Sequence, residues 1–303
     1  MGVRALIHAI IDIGSNTVRM AIYLINHDSM ELLTKKKVLL GLAAYLKDGR
    51  MTARGIDKVV EVLDGFQDFL RSLSITHATA FTTAALRNAV NSAEAVAEIR
   101  ARTGIEVHVI PGSDEAAYDF IGVTHNIEDD TGLIFDIGGA STEAVYYRGR
   151  AIVEKVSMPM GSLLFATKYS HGLLPDHEEI ERMRGEAAYI FGESGFTAPK
   201  GLTAAGIGGT FKGLSALYHG IYGDSGAMDT ERLPEIMQTF GAGSSDEAST
   251  ILLLRSVPDR IHTIIPGLVI ASAVLSACGC RTVTYTDSGM REGYIYKEIL
   301  KTV

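Results

Sequence analysis

The chain has 303 residues, 47% hydrophobic and 21% charged, the proportions of a core-forming globular protein with room for two domains. Its formal net charge of −8 argues against a general nucleic-acid or anionic-membrane binder, which carries a basic face. The longest apolar run, 264–278, is shorter than the ~20 residues of a membrane span, and the start shows neither a signal-peptide nor a myristoylation pattern, so the expected location is the cytoplasm.

Residues 8–25 alternate around an apolar run and read as strand, turn, strand. In 52–73, Ile56, Val59, Val60, Leu63, Phe66 and Leu70 recur at helical spacing behind Thr52, a natural N-cap. The segments 77–85 and 105–110 read as strands around a helix at 92–103, and SDEAAYDFIGV as the start of another helix. A second strand, turn, strand follows at 135–147. Residues 174–191 are helical with Asp176 as cap, and the HEEIE run inside them reads as a solvated helix face. Residues 201–218 give strand, glycine turn and helix. Two helices follow, from SDEAST and from IHTIIPG, and then a strand, a glycine turn and a terminal helix over 281–300. Strands interleave with helices throughout, which makes the class α/β. Cys278 and Cys280 read as two buried structural thiols, and the nine histidines show no metal-binding spacing.

The chemistry concentrates in three turns. FDIGGASTEAVYY (135–147) aligns without a gap on IDIGSNTVRMAIY (11–23), so Asp12 falls on Asp136 and Gly14 on Gly138. A strand ending in Asp-x-Gly, with small residues and a return strand, lets consecutive backbone N–H groups approach a phosphate while the aspartate holds a cation. The third turn, AAGIGGTFKG, places Gly208, Gly209 and Thr210 between an apolar strand and a helix, the setting of an anion site at a helix N-terminus.

The set DIGSNT, TAALRN, GSDEA, DIGGASTE, AGIGGT and SGMREG, running in order from about residue 10 to 296, resembles the exopolyphosphatase/guanosine pentaphosphate phosphatase family of the actin, Hsp70 and sugar-kinase superfamily. The resemblance implies two ribonuclease-H-like (actin-like) domains facing each other across a cleft, one of 1–118 plus 289–303 and the other of 119–288. It implies Mg²⁺ (or Mn²⁺) held by Asp12 and Asp136, with Glu143 a further acidic group near metal or water and among the catalytic residues. Gly14, Ser15, Asn16 and Thr17 would form one phosphate loop, and Gly138, Gly139, Ser141 and Thr142 the second. Gly208, Gly209 and Thr210 would close the other wall. Arg87 matches an arginine that faces the phosphates, where a guanidinium binds oxyanions in bidentate fashion. Glu115, the second acid of GSDEA, would be the general base that activates water.

The implied activity is Mg²⁺-dependent hydrolysis of a phosphoanhydride, releasing terminal orthophosphate from inorganic polyphosphate or from a phosphorylated guanine nucleotide, guanosine pentaphosphate. An ATP-dependent phosphotransferase on the same scaffold and a non-catalytic alarmone or nucleotide sensor stand as alternatives. A homodimer is an expectation by analogy alone. Departures from the family pattern are Ala140 in the second loop and Leu39 and Leu164 where arginines are common, with the lysine run 35–37 nearby. Longer members carry C-terminal helical domains that help to hold long polyphosphate, and this chain resembles the short two-domain form.

Overall fold

The computed structural model describes residues 6–223, 226–240 and 246–302. The chain falls into two compact units, one running through Asp114 and resuming at Tyr294, the other spanning Glu115–Gly293.

The first unit contains β1 (Leu6–Ile13), β2 (Thr17–Ile25), β3 (Met30–Leu39), the short pair β4 (Leu46–Lys47) and β5 (Arg50–Met51), α1 (Ala53–Ser72), β6 (His77–Thr82), α2 (Ala84–Arg87), α3 (Ser92–Thr103) and β7 (Val107–Val109). Its five-stranded sheet has the order β3-β2-β1-β6-β7. The β1–β2 and β2–β3 pairs are antiparallel, whereas β6 and β7 join in parallel. The six apolar positions of α1 are all buried, and Thr52 caps the helix by accepting from the Gly55 N–H at 3.3 Å. Strand β3 was not legible in the sequence. It is the sheet edge and carries Lys35, Lys36 and Lys37, the charged edge that discourages pairing with another chain.

Helix α4 (Gly112–Thr124) leads into the second unit. There follow β8 (Gly132–Ile137), β9 (Thr142–Arg148), β10 (Ala151–Met158), α5 (Ser162–Tyr169), α6 (His177–Glu193), β11 (Ala204–Ile207), α7 (Gly208–Tyr222), β12 (Met228–Asp229), α8 (Leu233–Phe240), α9 (Glu247–Ser256), α10 (Ile261–Ala277), β13 (Thr282–Tyr285) and α11 (Met290–Tyr294). The sheet order is β10-β9-β8-β11-β13-β12. Its first five strands repeat the first unit's plan: three antiparallel strands, then two that add in parallel to the first of them. The repeated Asp-Ile-Gly turn is thus the β1–β2 connection of one sheet and the β8–β9 connection of the other.

The boundaries differ from those expected, with Glu115–Tyr118 and 289–293 falling in the second unit. Packing explains it: Ala116 and Val123 of α4 join Ile134, Val145 and Ile207 in one apolar cluster. Gly122 and Gly293 are also close enough to Gly289 and Tyr118 backbone that neither has room for a Cβ.

Residues 258–277 are long and apolar enough to cross a membrane, yet most are buried, and α10 is the central core helix of the second unit. Cys278 and Cys280 are free and buried, and burial pushes their thiols up to about 11 and about 12, in keeping with structural cysteines. The HEEIE reading needs correcting in one respect. Glu179 is buried and forms a capping box with Asp176, so only part of that run faces solvent.

Candidate functional site

The two Asp-Ile-Gly turns close in the same way. The Gly14 N–H donates to the Thr17 carbonyl at 3.1 Å, and the Gly138 N–H to the Ser141 carbonyl at 2.9 Å. In the first loop Ser15, Asn16 and Thr17 are all buried, and the carbonyls of Ser15 and Asn16 accept N–H groups from residues 40–43. The Asn16 amide nitrogen is buried without a hydrogen-bond partner. A buried donor of this kind is costly unless something accepts from it, and a phosphate oxygen would do so. Arg87, at the end of α2 in the same unit, is steadied by donating to the Ile110 carbonyl at 3.1 Å. Asp12 lies opposite Arg19 across β1–β2, with Oδ2 and Nη1 3.9 Å apart.

In the second loop, the carbonyls of Gly138 and Gly139 accept the first N–H groups of α5, from Ser162, Leu163 and Leu164. The loop is therefore clamped to a helix start. Ser141 is buried within it. Two of the expected loop residues use their hydroxyls within the fold. Thr142 donates its hydroxyl to the Met160 carbonyl at 2.7 Å, and Thr210 donates to the Ile137 carbonyl at 2.8 Å. Their side chains build the loops, and what they can offer an anion is backbone N–H.

The third turn opens α7, whose start has no side-chain cap, so its first N–H groups keep the donor character of a helix N-terminus. Gly208 has φ +77°, and a Cβ there would collide with Asp136 Oδ1. Arg260, which the sequence reading passed over, lies with its guanidinium against Gly209, where a side chain would otherwise stand.

Around these loops the second unit gathers four carboxylates. Asp136 ends β8 and pairs directly with Glu143 on β9. Glu143 is buried and receives a hydrogen bond from the Ser157 hydroxyl at 2.7 Å, which fixes its orientation. Glu115 and Asp119 lie one turn apart on α4, on one face, and both are buried. The field at Asp119 identifies its neighbours. Burial first, and then the charges of Asp136, Glu115 and Glu143, push its carboxyl well above the usual range, with the Met290 backbone N–H opposing. Neither carboxylate oxygen of Asp119 has a hydrogen bond of good geometry. Asp119 was also missed in the sequence, although its spacing of four from Glu115 was the available signal.

These residues fit a divalent cation of the Mg²⁺ kind. Among the described residues no three His, Cys, Asp or Glu side chains close into a ready-made cage. Mg²⁺ characteristically takes only one or two carboxylates and completes its shell with water and phosphate oxygens, and the orphaned Asp119 shows where positive charge is wanted.

Residues 21–302 match the model of the Ppx/GppA phosphatase family. A Haemophilus influenzae protein bearing an exopolyphosphatase name is 28% identical to this chain over 95% of its length and 90% of the relative's. The crystal structure of the Aquifex aeolicus member of the Ppx/GppA family is similar with TM-score 0.77 at 25% identity, over 99% of both chains. An exopolyphosphatase structure from Cytophaga hutchinsonii, at 21% identity, shares the fold with TM-score 0.82 over 98% of each chain. The chain belongs to the Ppx/GppA phosphatase family and has that family's two-domain, actin-like α/β fold.

Proposed function

We propose that the protein is a phosphoanhydride hydrolase that releases orthophosphate from the end of inorganic polyphosphate. The observation that carries this reading is the position of Glu115: a buried carboxylate on α4, one turn from Asp119, whose carboxyl lies within the field of both Glu115 and the Asp136–Glu143 pair, and in the same unit as two backbone-lined anion loops. Glu115 takes a proton from water as the water oxygen bonds to the terminal phosphorus. The bond from phosphorus to the bridging oxygen breaks, and its electron pair leaves with the shortened chain. The N–H groups at the start of α7, with the Arg260 guanidinium, offset charge on the transferred phosphoryl group, where most of the rate enhancement in such reactions arises. Asp136 and Glu143 would hold Mg²⁺ or Mn²⁺, which when bound supplies charge neutralisation and orients phosphate oxygens. The first loop and Arg87 carry the same anion-binding chemistry in the other unit.

Guanosine pentaphosphate is the second substrate in this reading, and short anions are favoured over long ones. Leu39 pairs with Thr17 beside the first loop, and Leu164 sits in the α5 turn that clamps the second. Both are exposed apolar side chains where a long polyanion would want cations. The test is orthophosphate release with Mg²⁺ from triphosphate, long polyphosphate, guanosine pentaphosphate and ATP, for wild type and Glu115→Gln. We expect release from the first three that falls ~10²–10⁴-fold in the variant. Activity undiminished in Glu115→Gln would remove the mechanism, and no release from any substrate would remove the hydrolase reading.

A further inference from the structure

The carboxyl of Asp119 has no role in the chemistry above, yet it is 1% exposed, and the Met290 backbone N–H beside it leaves neither oxygen with a hydrogen bond of good geometry. Its surroundings are built around it. A Cβ at Gly289 would stand 3.3 Å from Asp119 Oδ1 and 3.1 Å from the Ile207 side chain. The next residue after Ile207 is Gly208, whose bare backbone makes room for Asp136 Oδ1. Ile207 itself pairs with Asp136 across β11–β8. The oxygens of Asp119 and Asp136 thus lie around the same Ile207–Gly208 step, with Glu143 directly across from Asp136.

An acid in this position, ringed by three others and cut off from water, requires either a bound proton or a cation. The crowding of carboxylates favours a cation, because one divalent ion offsets several charges together, whereas a proton neutralises only its own carboxyl. A hydrated ion of the Mg²⁺ kind needs only one or two carboxylates and fills the rest of its shell with water.

We infer that Asp119 is an additional protein ligand for the divalent cation of this site, binding it directly or through one water from the α4 side, so that the ion is held by acids on a helix as well as on the β8–β9 hairpin. The inference rests on the hydrolase reading for the purpose of the site, but its test does not depend on turnover. Metal-stripped full-length protein is titrated with Mn²⁺ at pH 7.5, and free Mn²⁺ is followed by electron paramagnetic resonance for wild type and Asp119→Asn. Asparagine keeps the shape and removes the charge.

The expected result is a dissociation constant raised at least fivefold in Asp119→Asn, with the circular dichroism of the metal-free protein unchanged. A rise smaller than this, or no Mn²⁺ binding by wild type, overturns the inference and leaves Asp119 a buried neutral acid. If asparagine disturbs folding, Asp119→Leu carries the same comparison, since it removes the unsatisfied polar atoms altogether. Loss of Mn²⁺ affinity in a protein that hydrolyses none of the phosphoanhydrides would uphold the cation ligand while removing the hydrolase, so the two readings fail separately.

Discussion

Asp136 and Glu143 face each other across β8 and β9 in the register that Asp12 and Arg19 occupy across β1 and β2. The two hairpins align residue for residue in sequence, so Glu143 stands where the first copy has an arginine. The first Asp-Ile-Gly turn therefore carries its own cation, with Arg19 Nη1 3.9 Å from Asp12 Oδ2. The second turn sets one carboxylate directly across a strand pair from another, so like charges face each other there.

This asymmetry predicts that a divalent cation, if bound, depends on Glu143 of the second unit more than on Asp12 of the first. Glu143→Gln should lose most of the rise in melting temperature that Mg²⁺ or Mn²⁺ gives the wild type, with cation affinity down tenfold or more. Asp12→Asn should keep most of that rise, within about threefold in affinity, because Arg19 already partners that carboxylate. Differential scanning fluorimetry across a cation titration makes the comparison. Equal losses in the two variants would remove the difference in cation binding expected from Arg19 and Glu143.

The duplication was legible because it is written in local sequence: Asp-Ile-Gly between apolar strands, twice, and a glycine turn before a helix. The same holds for α1, whose spacing and Thr52 cap are both realised. What could not be read is what tertiary packing decides. Asp119 looked like one more polar residue on a helix start, and only the burial of α4 against β8 and β9 places it among Asp136, Glu143 and Glu115. Arg260 is distant in sequence from the Gly209 turn against which it lies. Nor does a motif say which carbonyl a hydroxyl meets, and those of Thr142 and Thr210 turn to Met160 and Ile137.

The two exposed leucines beside the loops predict a gain-of-function result. A double variant, Leu39→Arg with Leu164→Arg, should lower KM for long polyphosphate several-fold while leaving kcat and the KM for triphosphate nearly unchanged. Leu39 is 49% exposed and Leu164 37%, so neither change opens a core. Because the added attraction acts between solvent-exposed charges, it should fade at ~0.5 M salt, where screening reaches only a few ångströms. Steady-state kinetics at two salt concentrations is sufficient. A KM that fails to move at low salt would mean that these positions do not flank the bound chain.

Gly208 offers a sharper structural test. Its φ of +77° and the collision of any Cβ with Asp136 Oδ1 penalise Gly208→Ala twice, through backbone strain of about 1–2 kcal/mol and through displacement of the carboxylate. The variant should remain folded, with a melting temperature a few degrees lower, and should lose phosphate release far beyond what that destabilisation explains. Gly65→Ala is the control: nothing lies within 4 Å of a Cβ there, and it sits inside α1, where alanine is the better helix former. If both variants retained full activity, the third turn would be removed from the site.

The last prediction concerns pH in the cation-free protein. The carboxyl of Asp119 is held well above its ordinary value of 3.8 by burial and by the neighbouring charges of Asp136, Glu115 and Glu143. The folded state therefore keeps this proton to higher pH than the unfolded chain does. Its contribution to stability is fully present below about pH 3.8 and is lost as pH rises toward the folded-state value. Asp119→Asn carries no such proton. It should match the wild type near pH 4 and become progressively more stable than it toward neutrality, as read from urea unfolding at a series of pH values with chelator present. Adding Mn²⁺ at neutral pH should reverse the order, because the wild type then regains through the ion what it lost with the proton. A difference between the two proteins that stayed constant across this range would mean that Asp119 is not the group that titrates.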